Sequence, residues 1–393
     1  MASNGKFQGR EVVIVEAART PIGRGHEEKG YYKDVHASNL LSTTFKALVD
    51  RAGIDASEVE DVVAGCVQQF GEQALNIGRN AWLEAGLPIT TPATTVDRQC
   101  GSAQQAVNFA AALIASGVHD VAIGGGVEHM GHISFADSMS VQQEHGFAFS
   151  PQLLERYNLV PQGISAEMIA DKWEIPRSEL DEIGLRSHQL AAQATEEGRF
   201  EREIIPFSVN GDTHVTDQGI RPDTSLEKLA ELKPAFKEDG KITAGNSSQI
   251  SDGAAAVLLM TREKANELGL KPRARIADET TVGVDPVMML TGPIPATSKL
   301  LDRNGMKIGD LDLIEINEAF ASVVAAWRRE HEPDMDRVNV NGGAIALGHP
   351  LGSTGARLIT TLLHELERSD KEWGLVTMCC GGGLGTGTLI QRV

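Results

Sequence analysis

The chain has 393 residues, enough for two or three domains rather than one core. Apolar residues make up 41% and charged residues 23%, a globular balance that excludes disorder and fibrous repeats. Acidic residues outnumber basic ones 54 to 36, and the net charge of −18 makes nucleic acid and anionic membrane surfaces poor partners. Four cysteines (Cys66, Cys100, Cys379 and Cys380) are too few and too irregularly spaced for a disulfide framework, which points to a reducing, cytoplasmic setting. The polar residues 1–10 and the short apolar run after them do not form a secretory segment. No apolar stretch approaches the roughly 18 residues a membrane span needs, and the final Ile390-Gln391-Arg392-Val393 is not a Ser-Lys-Leu address.

Short β-branched runs alternate with alanine-rich helical stretches, the pattern of an α/β protein with buried strands. The spacing predicts a strand over 12–16, a helix over 40–52, a strand over 61–66 and a helix near 74–85. A short strand over 94–96, a helix over 101–116 and a strand over 121–124 follow. Residues 128–246 differ in character, with polar loops, Glu-rich helices and a Lys/Arg-punctuated stretch over 221–241; they read as an insertion covering the first half. Strand character resumes over 253–260. The last third predicts strands over 274–277 and 311–316, a helix over 318–328 and a strand over 337–340. A helix over 352–366 and strands over 374–378 and 386–392 complete it.

Residues 96–103 and 340–354 both pass from a strand through a turn into Gly-Ser and a helix, while 120–126 and 373–383 both run from a strand into three glycines. These parallels predict an internal duplication of one α/β unit. The corresponding division is 1–127 plus 247–272, an inserted 128–246, and 273–393.

Cys100 sits where a strand hands over to a helix, in Asp97-Arg98-Gln99-Cys100-Gly101-Ser102. Unpaired N–H groups and the positive end of the helix would favour its thiolate, whereas a small buried apolar cysteine is the plain alternative; position alone does not choose. His349 lies on a turn dense in glycine just before a helix, where backbone can approach a ligand closely; a turn histidine without a role is the alternative. Cys379 and Cys380 end a strand before Gly381-Gly382-Gly383. Neighbouring strand residues face opposite sides, so one sulfur meets a given cavity, and the glycine N–H groups offer donors of the oxyanion-hole kind. Asn317-Glu318-Ala319-Phe320 follows a strand at its carboxyl end, where open α/β sheets bind ligands. An ordinary strand exit is the alternative for each. Glu128-His129-Met130-Gly131-His132 lacks His-Glu-x-x-His spacing and an evident third ligand cluster, so no metal is expected. The glycines match neither a dinucleotide fingerprint nor a Walker A loop.

Together, Cys100-Gly101-Ser102, Gly245-Asn246-Ser247-Ser248, Asn317-Glu318-Ala319-Phe320, residues 341–355 and Cys379-x-Gly-Gly-Gly resemble the thiolase family, in order and over essentially the whole chain. The resemblance implies an α/β fold of two similar βαβαβαββ halves packed in layers, with an inserted loop domain over the site. It implies cleavage of a 3-ketoacyl-CoA by free CoA, or the reverse condensation. Cys100 would be the acylated nucleophile, activated by His349, and Cys379 the acid/base at the α-carbon. One oxyanion hole would combine His349 with a water held by Asn317, and the other the N–H groups of Cys100 and Gly381. A decarboxylating synthase of related fold would carry a second histidine where this chain has the sulfur of Cys379.

Coenzyme A is then a cosubstrate and not a permanently bound cofactor. The resemblance assigns Arg221 to its adenine and phosphates and Ser248 to its pantetheine arm, with Lys228 and Lys233 adding positive charge. Its implied partners are acyl-CoA, CoA, a second or further copies of the chain as a homodimer or homotetramer, and a β-oxidation complex. Short-chain biosynthetic members carry a His-Met pair where this chain has Pro161 and Gln162, and Glu128-His129-Met130-Gly131-His132 resembles the degradative arm. The expectation is therefore β-oxidation-type cleavage releasing acetyl-CoA or propionyl-CoA. Acetoacetyl-CoA synthesis and a non-catalytic CoA-binding subunit are the alternatives.

Overall fold

The computed structural model describes residues 9–393; residues 1–8, part of the polar N-terminal segment, lie outside them. The chain opens with β1 (Val12–Arg19), a two-residue β2 (Gly23–Arg24), α1 (Ala37–Ala52), β3 (Asp61–Gly65) and α2 (Ile77–Glu84). Next come β4 (Ala93–Val96), α3 (Ser102–Ala115) and β5 (Val121–His129). The central segment carries α4 (Phe135–His145), α5 (Pro151–Arg156), α6 (Gln162–Lys172), α7 (Arg177–Glu196), the hairpin β6 (Phe207–Val209) and β7 (Asp212–His214), and α8 (Leu226–Ala230). β8 (Ser251–Thr261) and α9 (Arg262–Glu267) lead into β9 (Ala274–Gly283), α10 (Pro293–Asn304), β10 (Leu313–Ile316) and α11 (Ala321–His331). The chain closes with α12 (Ala344–Leu347), α13 (Thr354–Arg368), β11 (Trp373–Cys380) and β12 (Leu384–Arg392).

One mixed sheet runs β10-β11-β12-β9-β1-β8-β5-β3-β4. Its halves repeat: β1-β8-β5-β3-β4 and β9-β12-β11-β10 share the same order, antiparallel over the first two pairings and parallel beyond. The duplication read from the sequence is thus a duplication of topology. The strand expected over 337–340 is reduced to a bridge between Ile314 and Val338. A 3₁₀ turn at Met335–Arg337 and a left-handed Asn339 (φ 48°) leave no room for an extended run there. Antiparallel pairing of Val13 with Arg275 and Ile14 with Ala274 joins the halves.

α3 and α13 pack on each other between the sheet halves. Ala103, Val107, Ala110, Ala111 and Ile114 of α3 recur at helical spacing and meet Ile359, Leu362, Leu363 and Leu366 of α13 in one buried cluster. The strand expected to stop at Gly124 instead continues to His129. A Cβ on Gly124 would fall 2.4 Å from Val107 Cα, and one on Gly126 would fall 2.1 Å from Gly352 O. Glycine there lets α3 and the turn after His349 press directly onto the sheet.

The central segment is tied to β1 through charge. Arg19, 1% exposed, places Nη1 and Nη2 at 2.7 and 2.9 Å from the Asp217 carboxylate, and its Nε on Glu203. Such a fully enclosed ion group stabilises only while every member keeps its partners. No helix of the described residues is long and apolar enough to cross a membrane.

Candidate active site

Cys100 lies in the turn between β4 and α3. The Ser102 hydroxyl donates to Gln99 O at 2.6 Å and accepts from Arg98 N at 2.9 Å, which closes the turn and holds Gln99 at φ 50°. The Cys100 sulfur faces two backbone N–H groups, its own and that of Gly381. Burial nevertheless dominates and pushes the thiol up to about 11, because removing water costs a thiolate more than two donors return. The helix start therefore does not hold Cys100 as a resting thiolate; the group is a buried thiol with an anion-ready backbone beside it.

His349 is fixed by its other ring nitrogen. The Thr354 hydroxyl donates to Pro350 O at 2.7 Å, so at 2.6 Å from His349 Nδ1 it accepts the ring N–H. Nε2 is then the lone-pair nitrogen, and Asn317 Nδ2 donates to it at 3.3 Å. Burial, followed by the positive charge of Arg357, presses the His349 pKa down to about 3. At neutral pH the imidazole is an uncharged acceptor.

Cys379 and Cys380 are both fully buried but serve opposite faces, as strand alternation requires. Cys379 packs with Phe320, Ile345, Met289 and Leu290 and bonds the Asn317 side chain. Cys380 packs with Ala103 and Met378 and lies against Gly101 and Thr386. Burial pushes both thiols up, and each also feels Cys100. The structure thus brings Cys100, Gly381, Cys379, Asn317 and His349 into one continuous cluster, with Cys100, Cys379, Asn317 and His349 each no more than 3% exposed. The cluster meets solvent at half-buried Gln99 and Gln162 and exposed Gly382.

Several residues support this cluster in roles that the sequence did not show. Glu318, 3% exposed, accepts from Ser187 Oγ (2.6 Å), Asn339 Nδ2 (2.9 Å) and Ile345 N (3.2 Å), which locks the exit of β10 to α7 and α12. Glu128 accepts from Val67 N, Gln68 N and Gln73 Nε2 at 2.9–3.0 Å and from the Gly352 backbone, so it anchors the turn that carries His349. The Gln249 carboxamide donates to Gly219 O, Ile345 O and Ala346 O at 2.9–3.0 Å. It thereby aligns the segment leading to Arg221 with the turn leading to His349.

Ser248 follows directly on the same path, its N–H donating to Ala319 O at 2.9 Å beside Asn317. Arg221 is exposed, its backbone N–H donating to His188 Nδ1 at 3.2 Å. Lys228 does not add free positive charge, since Asp223 holds its ammonium at 2.6 Å; Lys233 is exposed.

The pair His129 and His132 does gain a third neighbour, Glu72, at 2.9 Å from His132 Nδ1, and the three ligand atoms lie within 4.8 Å of one another. The two rings, however, stack at 3.8 Å with only 20° between their planes. In-plane lone pairs on nearly parallel rings do not converge at the ~2.0–2.1 Å a zinc ion requires. His132 instead bridges Glu72 and Lys33 O (2.8 Å), and His129 Nε2 lies 3.0 Å from Tyr32 O.

A cysteine meeting two N–H groups, a second sulfur and a neutral imidazole on the facing half is the equipment of an acyltransferase. The family description "Thiolase, N-terminal domain" matches residues 12–263, and "Thiolase, C-terminal domain" matches residues 270–392. The chain belongs to the thiolase family. It is 47% identical over 389 residues to a steroid 3-ketoacyl-CoA thiolase of Mycobacterium tuberculosis, covering 98% of this chain and 94% of that one. It is 46% identical over 398 residues to a 3-ketoacyl-CoA thiolase of Psychrobacter arcticus, covering 98% of each. Among solved structures, the acetyl-CoA acetyltransferase of Bacillus anthracis superposes with a TM-score of 0.88 at 39% identity, over 98% of this chain and 99% of that one.

Proposed function

We propose that the chain cleaves a 3-ketoacyl-CoA with free CoA, giving acetyl-CoA or propionyl-CoA and a shortened acyl-CoA. The observation that carries this reading is the convergence of the Cys100 sulfur, the Gly381 N–H, Cys379 and the Asn317–His349 pair in one sealed cluster. The Cys100 proton passes to His349 Nε2 as the sulfur attacks the C3 carbonyl. The resulting oxyanion is met by donors aimed at that position, each of which is worth about 3–4 kcal/mol of barrier in comparable sites. Collapse breaks the C2–C3 bond, and Cys379 gives its proton to the departing α-carbon. The incoming CoA thiol returns a proton to Cys379, its sulfur attacks the acyl-Cys100 carbonyl, and the departing Cys100 sulfur recovers its proton from His349. His349, once protonated at Nε2, serves with a water held by Asn317 as the donor pair at one carbonyl; Cys100 N–H and Gly381 N–H serve at the other.

Arg221 and Ser248 are the proposed contacts for CoA, a reading supported by the Gln249 carboxamide that ties the segment before Arg221 to the turn before His349. The inserted segment 128–246 acts as a domain over the site, with 1–127 plus 247–272 and 273–393 as the two halves. Four unpaired cysteines suit a reducing cytoplasm. Exposed Phe135, Phe147, Phe149 and Leu154 favour assembly as a homodimer or homotetramer, or within a β-oxidation complex. Degradation is favoured over acetoacetyl-CoA synthesis because both 3-ketoacyl-CoA thiolase relatives exceed the acetyltransferase in identity. The direct test is intact-mass spectrometry after adding a 3-ketoacyl-CoA. Wild type gains an acyl adduct on Cys100, and an equal adduct on Cys100→Ala overturns the reading.

A further inference from the structure

The reacting carbon must sit on Cys100, and the remainder of the acyl chain can leave only where the sealed cluster opens. At that opening two carboxamides face Gly381. A Cβ on Gly381 would come 2.8 Å from Gln162 Nε2 and 3.1 Å from Gln99 Oε1. The Gln99 amide is oriented by Asp97, whose two carboxylate oxygens accept from Gln99 Nε2 at 3.2 and 3.1 Å, which leaves Oε1 as the end turned toward the opening. Gln162 is the first residue of α6, is half-buried, and its carboxamide has no hydrogen-bond partner among the described residues.

Apolar side chains lie beside these amides. The Phe236 ring lies against Gly163, where a Cβ would come within 2.2 Å of it, and meets Phe320 edge-on at 5.9 Å. Met289 and Phe320 share a cluster with Cys379, and Met288 packs against it. Among apolar neighbours, the unpartnered Gln162 carboxamide and the free Gln99 Oε1 favour a chain that supplies a polar partner over one that leaves them unpaired.

We infer that Gln162, with Gln99 opposite, selects acyl chains that carry a second oxygen function within a few bonds of the carbon held by Cys100. The inference rests on the thiolase activity proposed above. Gln162 Nε2 donates to that oxygen, and Gln99 Oε1 accepts where the oxygen is a hydroxyl. The surrounding Met288, Phe236 and Phe320 hold the carbon skeleton on either side.

The test compares kcat/KM for thiolysis of 3-oxooctanoyl-CoA and of the same chain bearing a second ketone beyond C3. Wild type is expected to favour the diketone by at least ~10-fold, since a half-exposed amide discriminates less than a sealed one. Gln162→Met, which removes the donor, and the isosteric Gln162→Glu, which replaces it with an acceptor, should each bring the ratio close to one with little change in melting temperature. A residue that only braces α6 over the site would lower both substrates equally. An unbiased wild type, or a bias that survives both substitutions, overturns the inference. Absence of thiolysis of either substrate by wild type would instead overturn the activity on which it rests.

Discussion

Thr354 sets the tautomer of His349, and removing its hydroxyl should therefore disable the proposed base without touching Cys100, the proposed nucleophile. Thr354→Val keeps the shape but deletes the acceptor 2.6 Å from His349 Nδ1. The ring N–H would be left buried and unpaired, at a cost of about 1–3 kcal/mol. That penalty falls only on the tautomer that leaves Nε2 free to accept the Cys100 proton. The ring can escape by moving its proton to Nε2, so the competent fraction drops by roughly 5- to 150-fold at RT ≈ 0.59 kcal/mol. Thr354→Val should lose about that factor in kcat, while Thr354→Ser, which keeps the oxygen, should stay near wild type. Steady-state thiolysis, with urea unfolding to confirm the fold, makes the measurement. A folded Thr354→Val within twofold of wild-type kcat would refute the tautomer argument, as would an equal loss in Thr354→Ser.

Cys379→Ser should lose most deuterium exchange at the acyl α-carbon, since a hydroxyl is a poor proton shuttle at neutral pH, whereas Cys380→Ser should keep it, because that side chain faces Gly101 and Thr386 on the opposite side of the strand and finds hydrogen-bond partners there; the reverse outcome would move the assignment by one residue. Arg19→Met should destabilise by roughly 3–5 kcal/mol in urea, because Glu203 and Asp217 would be left buried without their cation, and a midpoint unchanged from wild type would contradict the enclosed ion group. His349 and His364 are both held near 3 by burial, below the unfolded value near 6.5, so their contribution to stability is complete above pH 6.5 and is lost as pH falls toward 3. Because Glu315, raised to about 8, titrates in the opposite sense over this range, the measurement is a difference: His364→Phe should lose roughly 1.4 kcal/mol less than wild type between pH 7.5 and 5.5, and an identical pH dependence in the two would argue against neutral burial.

The strand and helix series was legible because periodicity survives in buried α/β units, and the repeated turn-to-helix motifs pointed to the duplication before any strand order was known. The candidate site was legible where its residues lie at strand ends and helix starts, as with Cys100, Asn317, His349 and Cys379, which the fold brings together. What escaped was chemistry fixed by partners distant in sequence. Glu128 read as part of a histidine motif, yet it works by anchoring Gly352, more than 200 residues away. The helix start before α3 left thiolate and buried thiol both open, because desolvation, which decides between them, is a property of the assembled core. Lys228 counted toward a positive field until Asp223 was seen to hold it. Gln162 stood out only as a departure from a His-Met pair, and its proximity to Gly381 depends on how α6 lies over the sheet.

The placement of β8 between β1 and β5 also constrains how the protein is made. Its pairing with β1 joins residues about 250 positions apart, Val12 with Thr261. At synthesis rates of about 5–20 residues per second, β1 waits roughly 12–50 s before its sheet partner emerges. During that interval the strand-facing sides of β1 and β5 are unpaired edges, open to other chains. The central segment emerges throughout this delay, and its Glu203 and Asp217 can engage Arg19 of β1 before β8 exists. The segment that carries Glu203 and Asp217 can thus also serve, on the ribosome, as the first shield for a sheet awaiting its middle strand.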